Sequence, residues 1–225
     1  MALAERPAAA RDELAAALNM MQRVLGREHP DTLPTRSELA RLTGEAGDAA
    51  AARDQFADLL PVMARVLGPE HPDTLTARAE LARWTGEAGD PAAARDQFAA
   101  LLPLRERLLG PGHPRTLAVR RSQAYWTGRA GDPARARDLY AGLIAVHEHV
   151  FGPEHPRTLN VQAHLAGWIG EAGDATGAAD LYAGLLPVHK RVLGQDHPET
   201  QAVRQSLALW RDRAGQRRRR WGGPR

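Results

Sequence analysis

Five histidines, His29, His71, His113, His155 and His197, stand 42 residues apart, and a proline follows each one. Imidazole is the commonest side-chain ligand for a metal, so a metal column is the first chemistry to weigh. Zinc needs its ligands ~2.0–2.1 Å away and convergent. One histidine per repeat, each in a loop between helix pairs, leaves neighbours about one helix-packing distance apart, ~10 Å. The spacing therefore reads as a device for closing a loop and starting a helix. His147 and His149 point to different sides of a helix and do not form the i, i+4 pair of a metalloprotease. The chain has no cysteine, which removes thiolate nucleophiles, disulfides and cysteine zinc sites. Its serines, Ser37, Ser122 and Ser206, sit beside no evident base, and there is no nucleophile elbow, HExxH or Gly-rich phosphate loop. No catalytic residue, metal or cofactor is expected.

The period of 42 organises the rest. Residues 73–87 carry apolar stripes at helical spacing, with Leu75, Ala79 and Ala82 beside Ala77, Leu81, Trp84 and Ala88. Gly89 suits a left-handed helix end, Asp90 a cap, and Pro91 a first helical residue. A longer second helix runs to Leu109, Gly110 closes it, and the His-Pro loop leads to the next unit. The expected fold is all-α, a right-handed superhelical solenoid of about ten antiparallel helices. Its solenoid spans 7–215: a half repeat 7–30, units 31–72, 73–114, 115–156 and 157–198, and a terminal half repeat 199–215, with a basic disordered tail at 216–225. The first helix should expose a face, through which copies could pair or which upstream sequence could cover. Pro61, Pro103 and Pro187 lie inside second-type helices, where loss of a hydrogen bond predicts kinks.

Composition is that of a globular chain, 43% hydrophobic and 25% charged. The net charge of +3 comes from the tail, whose arginines Arg217 to Arg220 and Arg225 leave the remainder near neutral. No run approaches the roughly 18–20 apolar residues of a membrane span, and a cytoplasmic location is expected.

Trp84, Trp126, Trp168 and Trp210 form a column with Leu42. A stacking platform for ligands or bases is one reading; core between repeats is the one their apolar stripe favours, with Trp210 more exposed than the others. Arg36, Arg78, Arg120 and Arg204 recur on first-type helices, and Asp12, Asp54, Asp96, Asp138 and Asp180 on second-type helices, which suggests an architectural ladder of Arg to Asp pairs. Units this alike differ at Arg41, Arg83 and Tyr125, with Gly167 and Leu209 at the same position, and at Arg121 and His164 one turn earlier. Arg41, Arg83, Arg121, Tyr125 and His164 are the candidate partner-binding residues. Their arginines favour an acidic partner.

LGPEHPDTL at 67–75, Leu81-Ala82, GEAGD at 86–90, Ala94 and Phe98 resemble the 42-residue tetratricopeptide repeats of the kinesin light chain and actinobacterial type. The resemblance implies that Phe56, Phe98, Tyr140 and Tyr182 join the core where the two helices of a unit meet. It further implies a scaffold, in a signalling or regulatory setting, that takes an extended peptide or partner helix on its concave face. Kinesin light chain-like repeats clamp a peptide backbone with paired asparagines. Here Ser37-Glu38, Ala79-Glu80, Arg121-Ser122, Ala163-His164 and Gln205-Ser206 stand instead, so side-chain or charge recognition is expected. Two further readings remain open: anionic surfaces or nucleic acid on the arginine tail, the less expected, and homo-oligomers built through the first helix.

Overall fold

The computed structural model describes the backbone of residues 2–221 and the side chains of residues 11–216, and every regular element in it is a helix. In chain order these are α1 (Ala2–Leu25), α2 (Thr32–Glu45), α3 (Ala49–Val66), α4 (Pro72–Glu87), α5 (Pro91–Leu109), α6 (Pro114–Arg129), α7 (Pro133–Phe151), α8 (Pro156–Glu171), α9 (Ala175–Val192) and α10 (Pro198–Trp221). First-type and second-type helices alternate, joined by a tight turn within each pair and by a longer loop between pairs.

Local chemistry sets both connections. At the tight turn Gly89 takes φ +105°, a left-handed conformation that costs glycine nothing. Its N–H reaches the Gly86 carbonyl at 3.0 Å and the Asp90 N–H the Thr85 carbonyl at 3.1 Å, so the last carbonyls of α4 are satisfied. Asp90 then caps α5 by accepting from the Ala93 N–H at 2.9 Å. In the longer loop the histidine is itself the cap. Nδ1 of His71, His113, His155 and His197 accepts the backbone N–H two residues on, at 3.1–3.2 Å. The buried threonine that follows holds the loop: Thr158 donates to the Gly152 carbonyl at 2.8 Å.

The helices form two compact units, residues 1–109 and 110–225. In the first, α1 to α5 pack each against the next, with α2 also touching α4. Its core holds Leu33, Phe56, Leu59, Met63 and Trp84. In the second, α6 to α10 pack likewise, with α8 touching α10. One cluster there is built on Leu117, Tyr140 and Val161, another on Tyr182, Val203 and Trp210. Tyr140 and Tyr182 donate to carbonyls of the preceding helix, Arg121 at 3.3 Å and Ala163 at 2.8 Å. Each phenol is thus buried with its hydrogen bond made.

Several expectations change. Trp210 is 4% exposed and, of the four tryptophans in this column, Trp168 is the half-buried one: the Trp210 ring lies on Gly170, with Arg213 4.6 Å above it. As expected, Pro61, Pro103 and Pro187 lie inside second-type helices, α3, α5 and α9, and all three are exposed. The Arg to Asp ladder gives way to shorter pairs. Asp12, Asp54, Asp96 and Asp138 each meet the arginine immediately before them, while Arg36 donates to the Arg27 carbonyl and Arg204 to Gln201. An adjacent partner needs no reach across helices, so it captures the carboxylate first. Helix α10 continues to Trp221, past the expected end at 215. The side chains of the arginine run at 217–220 and all of 222–225 lie outside the described residues, and so does the reading that the tail binds an anionic surface.

Candidate functional site

Within each unit, first-type helices of successive repeats form the walls of grooves whose floor is the second-type helix between them. In the second unit, α8 and α10 enclose about 390 Å³ over α9. Trp168, Trp210, Leu209 and Val203 give it apolar walls, and His164, Glu199 and Ser206 are among its polar groups. Gly167 keeps it open, since a Cβ there would stand 3.1 Å from the Tyr182 hydroxyl. In the first unit, α2 and α4 enclose about 210 Å³ over α3. Its wall positions correspond to the first groove by a shift of three repeats: Ser37 to Ala163, Glu38 to His164, Arg41 to Gly167, Glu80 to Ser206. One backbone geometry thus carries two different linings.

The five candidate binding residues fall into two groups. Arg41 pairs within its own helix, its Nε donating to Glu38 at 2.8 Å and its guanidinium also bonding Glu45. Arg83 lies 4.4 Å above the Trp84 ring and 3.7 Å from Glu80. Burial holds the Glu80 carboxyl above the usual carboxylate range, against the pull of Arg83 and Arg41. Both arginines of the first unit therefore already face carboxylates.

In the second unit Arg121, Tyr125 and His164 come together. Arg121 donates to Asn160 Oδ1 at 3.0 Å. Tyr125 presents ring edges to His164 and Trp168, each 6.3 Å away, and its hydroxyl accepts from Arg129 at 3.1 Å. His164 stacks on Tyr140, centroids 5.4 Å apart and planes at 8°. Its Nδ1 sits 2.8 Å from the Asn160 carbonyl; a carbonyl only accepts, so Nδ1 carries the proton and Nε2 is left as an acceptor. Burial pushes the imidazole below its usual value, and the Arg121 charge adds to this.

Reading the sequence missed a buried repeat position on the second-type helices, polar in three of its four instances. Met63, Arg105, His147 and His189 occupy one repeat position and are at most 4% exposed. Nδ1 of His147 and His189 donates to the carbonyl one turn back, Leu143 at 2.9 Å and Leu185 at 3.0 Å. The available signal was the 42-residue spacing at a position two after the helix proline or its equivalent. Asn160 and Glu199 were also missed, being single departures that no period marks. Among the described residues no three His, Asp or Glu side chains gather as a metal site would need, and no described helix is long and apolar enough to cross a membrane.

Models of the tetratricopeptide repeat family match residues 1–63, 46–106, 116–157 and 158–199. No curated protein matches the chain. Two crystal structures of nearly identical TPR-like repeats from Podosopora anserina, assigned to kinesin light chain and one of them a point variant, superpose with TM-scores of 0.71 and 0.69. Each is 25% identical over 84% of this chain and 92% of the other. BtubC (BKLC) from P. vanneervenii shares the fold at TM-score 0.67 and 17% identity, over 99% of this chain and 93% of its own. With its paired helices, its 42-residue period and these matches along most of its length, the chain belongs to the tetratricopeptide repeat family.

Proposed function

We propose that the chain is a protein-interaction scaffold that takes a peptide or partner protein into the grooves between its first-type helices. Tetratricopeptide repeats are in general protein-interaction modules and not catalysts. The observation that carries the reading here is the groove between α8 and α10. It exposes tryptophan and leucine beside a few polar groups, as binding pockets do, and Leu209 stands 47% exposed on its wall. Of the candidate arginines Arg41 and Arg83 already face carboxylates, which leaves Arg121 on α6 as the one best placed to meet an acidic partner group. Selection from a displayed peptide library against the whole chain tests the proposal. Peptides so selected should lose at least about fivefold in affinity on Leu209→Arg, given that a central contact is worth more than ~1 kcal/mol. Unchanged affinity would place binding elsewhere.

A second reading, association of copies through α1, has its own support. Val24 is 81% and Met20 64% exposed, whereas their repeat equivalents Val66 and Val62 are half-buried against the core. Sedimentation velocity of the chain and of Val24→Asp separates the two: a concentration-dependent dimer in the parent alone supports it, and a monomer in both removes it.

A further inference from the structure

Between the start of α6 and the start of α8, next to the groove just described, lies a pocket of about 250 Å³ over α7. Arg115, Arg121 and Arg157 line it, with His147, Leu117 and Phe151, and no carboxylate does. Elsewhere Arg53, Arg65, Arg95, Arg107, Arg137 and Arg191 each meet an acid. None of the three pocket arginines forms an ion pair with a carboxylate among the described residues. Arg121 is oriented by Asn160, Arg157 rests 5.1 Å above the Phe151 ring, and the Arg115 side chain is exposed.

The repeat makes the charge a local departure. The residue after His-Pro is Asp31, Asp73, Arg115, Arg157 and Glu199 in successive units, and the Arg121 position is Ser37, Ala79, Ala163 and Gln205 elsewhere. Sign reversal and the added arginine therefore coincide on the two helices that wall this pocket. The field converges as well: burial is the main cause that lowers the His147 basicity, and Arg121 and Arg157 both add to it.

We infer that this pocket binds the phosphate of a phosphorylated serine or threonine on the partner protein, an inference that rests on the scaffold reading above. Three guanidinium groups without counter-charge outmatch a single carboxylate. A phosphate monoester brings about −1.5 to −2 charge at pH 7 and three acceptor oxygens, and guanidinium forks suit it. The apolar side of the pocket, Leu117 and Phe151, covers the stem that carries the phosphate. A nucleic acid is disfavoured by what lies alongside. The adjoining groove is lined by Glu171 and Glu199 and by no lysine or arginine, so a run of phosphates leaving the pocket would meet carboxylates. One phosphate on an otherwise uncharged or basic peptide meets none.

The test uses the full chain and fluorescein-labelled degenerate peptides with a fixed central phosphoserine, serine or glutamate, followed by anisotropy. The phosphoserine set is expected to bind at least about tenfold tighter than the serine set, as charge-assisted hydrogen bonds from several guanidinium groups would give. Inorganic phosphate should compete, and Arg115→Gln with Arg157→Gln, both exposed positions, should erase the preference while the melting curve stays in place. Serine and phosphoserine sets that bind alike, yet respond to Leu209→Arg, would overturn the phosphate assignment and leave the groove reading standing. A glutamate set equal to phosphoserine would reassign the pocket to carboxylates and overturn it too. Tighter binding of a labelled single-stranded RNA than of any peptide set would overturn it in favour of nucleic acid. Failure of every set to bind would remove both readings.

Discussion

The indole of Trp168 lies on the bare backbone of Gly128, so close that a Cβ on that glycine would stand 2.3 Å from Cη2 of the ring. Trp84 lies on Gly44 and Trp210 on Gly170 in the same way. Each pair joins first-type helices of successive repeats, α6 to α8, α2 to α4 and α8 to α10, and so sets how closely the two walls of a groove approach. The ring is large and packed, so it cannot give way as a flexible side chain would. Gly128→Ala should destabilise by ~1–3 kcal/mol, the range for overpacking, as seen in a denaturant midpoint. A neutral result would mean that the ring moves freely.

The histidine caps give a second prediction. Removing the acceptor at the start of α4 with His71→Ala should cost about 0.5–2 kcal/mol, while His71→Asn, which keeps a side-chain acceptor, should cost less. Thermal melts of the two variants decide it. Added zinc should shift neither curve, because the five histidines serve five separate helix starts.

Glu80 sets a third. Burial holds its carboxyl above the usual 4.5, so between that value and the raised one the folded state binds more protons than the unfolded state. Stability is then lost as pH rises through this window, and the cost is complete above it. Glu80→Gln should therefore raise the melting temperature at pH 7 and change it little at pH 4. The reverse order would show the carboxylate to be well paired with Arg83.

Much of this was legible in advance. The helix pairs, the Gly-Asp turn and the histidine as a helix-start device follow from residues whose backbone demands are strict: Gly89 for its positive φ, Asp90 and His71 for their acceptors. What hid was pairing between long side chains. Arg36 and Arg78 recur at the period, but a guanidinium can reach several acceptors, and adjacency gave Asp54 to Arg53 and Asp96 to Arg95. The candidate site behaved likewise. Arg41 looked free because Glu38 and Glu45 share its helix face only once the helix is built, and Glu199 lines the groove of His164 from a helix 35 residues downstream.

The buried imidazoles give a fourth prediction. Burial lowers both His147 and His164 from the usual 6.5, so below that pH the unfolded chain takes up protons that the folded one refuses. Stability contributed by the neutral rings is complete above about 6.5 and is lost as pH falls towards the lowered values. Melting temperatures should fall between pH 7 and pH 5. His147→Met, the residue at the equivalent position 63, should flatten part of that slope, and an unchanged slope would place the acid sensitivity elsewhere.

Partner binding in the groove between α8 and α10 is tested most directly by hydrogen exchange of the whole chain with and without a selected peptide. Added protection should fall on residues 160–171 and 199–210, with little change on the exposed outer faces of α7 and α9. Protection on those outer helices, with none on α8 and α10, would contradict the account.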